Sequence, residues 1–132
     1  MSDNLTIKVR RSQLGRVRGA GSAKSGVHHW YLERVTSVAL VPLTLWFIYA
    51  MVRLVGAGQE DVVIWASRPW NTVLLLALIA MTFRHMQLGI QVVLEDYVHH
   101  KWFMTAASLG TQAACVLLGL LSALSVLKLA LW

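Results

Sequence analysis

Charge is what this chain has least of. Only 14% of its 132 residues are charged, against 57% hydrophobic, a balance foreign to water-soluble domains. A soluble bundle of buried helices would need polar faces that its apolar segments do not offer. Cysteine is down to one, Cys115, which excludes a disulfide framework and a cysteine-held cluster and leaves packing as its default role. No glycine-rich dinucleotide fingerprint occurs, and no internal repeat is visible. Acidic residues number six against twelve basic ones. The basic start, Ile7 to Ser25, has almost no aromatic residues, so it reads as a topology signal with some attraction to anionic lipid or a partner protein, and not as a nucleic-acid surface. It also lacks the apolar core and cleavage site of a secretory signal. Its Arg- and Ser-rich, acid-poor composition leaves an organelle transit peptide open.

What the chain does have is long apolar runs. One extends from Val35 to Val52; a second from Pro69 to Phe83, pausing at Arg84-His85 and resuming from Met86 to Leu94; a third from Trp102 to Leu127. Roughly 20 apolar residues cross a hydrocarbon core of about 30 Å. The expected fold is therefore an all-α membrane protein of three transmembrane helices. Residues 1–27 read as a basic arm, and 28–132 as the membrane domain, with spans at about 30–55, 69–94 and 102–129. Trp30, Trp65, Trp70, Trp102 and Trp132 fall near span ends, where amphipathic rings gather at the membrane–water boundary; Trp46 lies within a span. Pro42 removes one backbone hydrogen bond and predicts a kink in the first helix. Gly56-Ala57-Gly58 closes that helix, an outer loop follows with a short amphipathic turn around Val62 to Trp65, and Pro69 suits the first turn of the second helix. Lys8, Arg10, Arg11, Arg16, Arg18, Lys24 and Arg34 all precede the uncharged run of the first span, Val35–Val52. Basic residues mark the cytoplasmic side, which predicts a multi-pass protein of the cell inner membrane, N-terminus cytoplasmic and C-terminus periplasmic. Ala106, Ala107, Gly110, Ala113, Ala114 and Gly119 offer small-residue positions for close helix contact.

Of five histidines, only His85 sits inside a span. His28 and His29 precede the first, and His99 and His100 follow the second. An ionisable group at membrane depth is costly and is usually kept for a function. From His85 to Asp96 is eleven residues, about 16 Å at helical rise, which predicts a histidine at mid-depth. Eleven steps of about 100° nearly restore the starting direction, so His85, Gly89 and Asp96 share one face of a regular helix. That geometry suits a large flat cofactor lying against the helix. Spacing alone leaves the other role open, a histidine hydrogen-bonded to a neighbouring helix. It equally leaves Gly89 as ordinary packing and Asp96-Tyr97 as an ordinary helix end. Arg34 reads as a topology charge or as a partner for a carboxylate. His28, His29, His99 and His100 read as interfacial groups, and Arg84 has no clear role beyond snorkelling, pairing with another subunit or approaching the cofactor.

The pattern His85-x3-Gly89-x6-Asp96-Tyr97 resembles the signature of the small hydrophobic anchor subunit of succinate dehydrogenase, respiratory complex II. GVHHWYLERVTSVAL, Gly26 to Leu40, resembles that family's opening, and RVRGAGSAKSG, Arg16 to Gly26, resembles the arm of its alphaproteobacterial members. The resemblance covers roughly residues 14 to 130; Arg84 and Pro42 lie outside its core pattern. It implies half of a two-subunit helix bundle that shares one b-type haem with a second three-helix cytochrome b subunit. A flavoprotein subunit and an iron–sulfur subunit would be carried on the membrane surface. It implies that His85 is an axial ligand of the haem iron and that Tyr97, aided by Asp96, binds ubiquinone. Arg34 and His28 would stand near the haem propionates. Succinate oxidation would then belong to the assembled enzyme, with no catalytic residue in this chain, and the work of the complex to the tricarboxylic acid cycle and aerobic respiration. Two rival readings are the anchor of a quinol:fumarate reductase and a small membrane scaffold or transporter subunit. A transporter would line its path with several intramembrane polar groups, whereas this chain shows chiefly Arg84-His85.

Overall fold

The computed structural model describes residues 24–131, with side chains from Val27 onward. The described residues form four helices and no strand: α1 (Lys24–Arg53), α2 (Gln59–Ser67), α3 (Pro69–Tyr97) and α4 (Lys101–Leu131). Three of them, Val27–Arg53, Pro69–Tyr97 and Lys101–Leu131, are long and apolar enough to cross a membrane. The basic arm lies outside the described residues except at its end. There α1 starts at Lys24, four residues before His28, because nothing at the polar end of a helix forces it to stop where the apolar run stops.

α1 continues through Pro42. The missing N–H deprives only the Val38 carbonyl of its helical partner. The helix ends where Leu54 N–H reaches the Ala50 and Met51 carbonyls, both at 3.1 Å, and Gly56 turns the chain with φ +82°, a conformation that residues with a Cβ rarely adopt. The connection between α1 and α3 is more ordered than an amphipathic turn: α2 is a nine-residue helix. Gly58 N–H donates to Asp61 Oδ2 at 3.3 Å at its start. At its far end Thr72 Oγ1 donates to the Ala66 carbonyl at 2.8 Å and Asn71 Nδ2 to the Trp65 carbonyl at 2.7 Å. The first turn of α3 thus satisfies carbonyls that α2 leaves open. Trp65 stacks on Trp46 of α1, ring centroids 5.8 Å apart, so the one tryptophan inside a span is tied to the connection at its end.

α3 is the central helix. α1 and α4 both pack on it and do not touch each other among the described residues. Phe83 of α3 lies against Gly119 of α4, where an added Cβ would sit 3.4 Å from the ring. Ala106, Gly110, Ala113 and Ala114 are instead exposed and Ala107 half-buried, so the small-residue positions divide between the two sides of α4. Among the described residues the buried apolar set is Ala50, Ala66, Leu88 and Cys115. Such a single layer of helices hides little of itself, as expected where lipid or other chains cover the flanks.

Candidate functional site

The site begins with a threonine. Thr36 lies within the apolar stretch of α1 and is 4% exposed. Its Oγ1 lies 2.8 Å from the Leu32 carbonyl, 3.0 Å from the Glu33 carbonyl and 3.0 Å from Nδ1 of His85 on α3. A hydroxyl has one proton to give. Donated to the nearer carbonyl, it leaves Oγ1 to accept from the ring, so Nδ1 carries the imidazole proton and donates. The other nitrogen, Nε2, then keeps a lone pair and makes no hydrogen bond among the described residues. Such an arrangement, one ring nitrogen anchored and the other free, is how proteins present histidine to a metal.

The same contact sets the register of α3 on α1: His85 stands level with the second residue of the uncharged Val35–Val52 run, toward the Arg34 end of that stretch. Counting from Asp96 alone misses this, because α3 continues well past the apolar run of α1.

α3 stays helical through Tyr97, so His85, Gly89 and Asp96 do share a face. A Cβ placed on Gly89 would meet nothing within 4 Å; packing inside this chain does not demand a glycine there, and the surface beside His85 is open. Asp96 is exposed and Tyr97 is 80% exposed at the end of the helix, about 18 Å along the axis from His85. Arg34 is exposed, its guanidinium carbon 5.2 Å from the centroid of the Trp30 ring. It lies about 160° round α1 from Thr36, so this chain alone does not bring it to His85. His28 is exposed about 12 Å nearer the end of α1. His29 is half-buried, with Nε2 buried and unpartnered among the described residues. Among those residues no three His, Cys, Asp or Glu side chains gather as a metal site. Cys115 is free and buried. Thr36 is the residue the sequence reading passed over; a lone hydroxyl two positions beyond Arg34, inside an apolar run, was the available signal.

Three helices long and apolar enough to cross a membrane, with a half-buried imidazole on the central one and an open surface beside it, define a small multi-pass membrane protein. The comparisons with known proteins agree. The chain belongs to the family described as "Succinate dehydrogenase/Fumarate reductase transmembrane subunit", whose model matches residues 8–127. It is similar to the succinate dehydrogenase hydrophobic membrane anchor subunit of Rickettsia conorii, 31% identical over 107 residues, covering 80% of this chain and 85% of that one. The subunit of the same name from Rickettsia bellii is 39% identical over 90 residues, covering 67% and 70%, and that from Paracoccus denitrificans 29% identical over 79 residues, covering 60% and 61%. No solved structure matches the chain.

Proposed function

We propose that this chain is the membrane anchor subunit of a succinate:quinone oxidoreductase in the cell inner membrane, with its N-terminus cytoplasmic and its C-terminus periplasmic. On this reading it helps to hold a b-type haem and to form the site where quinone takes up electrons. Membership of the family and the names of its relatives support the anchor role. The relatives named here are succinate dehydrogenase subunits, which favours succinate oxidation over the quinol:fumarate reductase that the family also covers.

The observation that carries the cofactor reading is the Thr36–His85 pair. The residues present fit half of a bis-imidazole site: one anchored imidazole with a free nitrogen, and the bare backbone of Gly89 one turn away where a flat ring needs room. A second imidazole at that depth must come from another chain, since the remaining histidines lie at or beyond the helix ends. A haem held there by His85 and a partner's imidazole would supply one-electron transfer. Thr36 orients the His85 ring and holds its Nδ1 proton. Arg34 and His28, at the same end, offset the carboxylates of such a cofactor across the interface with the partner chain. Tyr97, exposed at the end of α3, donates a hydrogen bond from its phenol to a quinone carbonyl oxygen and stabilises the negative charge that grows on it during reduction. Asp96 beside it accepts and passes on a proton.

The scaffold or transporter reading accounts for the Thr36–His85 hydrogen bond but gives no work to the free nitrogen. Purification through this chain in mild detergent separates the readings. The anchor reading expects a flavoprotein, an iron–sulfur protein and a second three-helix subunit to co-purify with succinate-dependent quinone reduction. A stable homo-oligomer without redox cofactor would overturn it.

A further inference from the structure

A different face of α3 has no part in that reading. Arg84 precedes His85 by one residue and therefore points about 100° away from it, into the cleft between α1 and α4. There its Nη1 donates to Gln87 Oε1 at 3.0 Å, which leaves the Gln87 amide N–H groups free to donate elsewhere. Gln91, Gln112, His28 and His29 line the same groove, of about 340 Å³, and none of its lining residues is acidic. The nearest acid along this face, Glu95, accepts from Gln91 Nε2 at 3.0 Å and stands eleven residues, about 16 Å, from Arg84. Glu33 of α1 does not line the groove. The groove thus holds a guanidinium among hydrogen-bond donors, with no anion from the described residues.

A second groove, of about 380 Å³, begins where the first ends: Arg84, Gln87 and Gln112 line both. It runs away from the His28 end along the seam of α3 and α4, walled by Leu76, Phe83, Val116 and Leu120. From Leu76 to Gln87 is about 16 Å along the helix, close to half of a hydrocarbon core about 30 Å thick, which is the depth of one leaflet. Donors at one end and an apolar trough one leaflet long make a receptor for an amphiphile. A whole helix, about 10 Å across, is too wide for a seam in which Phe83 and Gly119 already touch. A quinone ring, being uncharged, would leave Arg84 without a counter-ion.

We propose that this composite groove seats one phospholipid of the leaflet at the His28 end. Arg84, Gln87 and Gln112 hold its phosphate diester, and one acyl chain lies along the α3–α4 seam. Arg84 adjoins His85, which is level with Thr36, two residues from Arg34. A guanidinium extended toward the His28 end therefore reaches the headgroup region without crossing the bilayer centre. This site does not use His85, although His28, placed above near the carboxylates of the cofactor, lines the same groove.

The test uses the assembly as it comes from membranes in mild detergent, captured through this chain. Native mass spectrometry counts the phospholipids that survive detergent removal, and added phosphatidylglycerol is compared with diacylglycerol, which has the same chains but no phosphate. One phospholipid per chain is expected to persist in the wild type and in Arg84→Lys. It should fall about tenfold in occupancy in Arg84→Leu, the worth of a hydrogen bond to a charged group, and diacylglycerol should not replace it. Equal retention in Arg84→Leu, or no tightly held phospholipid in the wild type, overturns the proposal. Should Arg84→Leu fail to assemble, a photo-crosslinking residue at Ala80, in the trough, decides: a lipid adduct supports the site, and a cross-link to another protein chain refutes it.

Discussion

Thr36→Val exchanges a hydroxyl for a methyl at nearly constant shape, and it tests how the imidazole is held. The hydroxyl is 3.0 Å from His85 Nδ1 and buried between α1 and α3. The Leu32 and Glu33 carbonyls that it also reaches belong to a continuous helix and lose only a second partner. The cost therefore falls on the ring, whose Nδ1–H is left unpaired in a half-buried place. An unsatisfied buried donor costs about 1–3 kcal/mol. Loss of the outer partner of a metal-bound histidine weakens metal binding about 10- to 100-fold, or about 1.4–2.7 kcal/mol, so two independent scales agree. An N–H···O bond also makes imidazole a stronger donor to iron and favours the oxidised metal. Purified complex carrying Thr36→Val should lose haem faster during dilution in detergent and show a higher haem midpoint potential in a redox titration. Thr36→Ser, which keeps the hydroxyl, should behave as the wild type does. Haem retention and potential unchanged in Thr36→Val would refute the reasoning, because His85 would then be oriented by something other than this threonine.

Tyr97→Phe should lower quinone reduction about a hundredfold, the usual loss when one donor to developing negative charge is removed. Succinate oxidation by a water-soluble dye should persist, and equal loss in both assays would mean misassembly. Gly119→Leu drives a side chain into Phe83, whose ring already lies 3.4 Å from the position of a Cβ. Overpacking of about 1–3 kcal/mol is expected, read as a lower melting temperature of the purified complex in detergent; an unchanged melt would show that the α3–α4 seam is looser than its geometry.

The three spans were legible in the sequence because run length against bilayer thickness is a one-dimensional property, and so was the shared face of His85, Gly89 and Asp96, which needs only a regular helix. Thr36 was not legible. Its partner is 49 residues away in the chain, and its importance depends on how far α1 slides along α3, which no local pattern encodes. The same register decides that His85 faces the Arg34 end of the apolar run of α1. Arg84 and His85 read as one polar interruption, yet the helical twist sends them to separate faces, one against Thr36 and the other into the cleft shared with Gln112. The connection after Gly58 was read as a loop with one turn because it is short and carries Glu60 and Asp61; packing of Trp65 on Trp46 helps to hold it as a helix. Asp96, Tyr97, Arg34 and His28 are exposed, and the roles proposed for them would be completed by chains and ligands beyond this one.

The central claim is that His85 ligates a haem shared with a partner subunit, and a reduced-minus-oxidised visible spectrum of the complex purified through this chain tests it most directly. The wild type should show the sharp bands of a six-coordinate b-type haem when both membrane subunits are co-expressed, and no haem when this chain is expressed alone. His85→Ala should lose or alter those bands, while His99→Ala, beyond the end of α3, should leave them as they are. A six-coordinate haem spectrum of full intensity in His85→Ala would contradict the account, and His85 would then be a buried histidine hydrogen-bonded between two helices and nothing more.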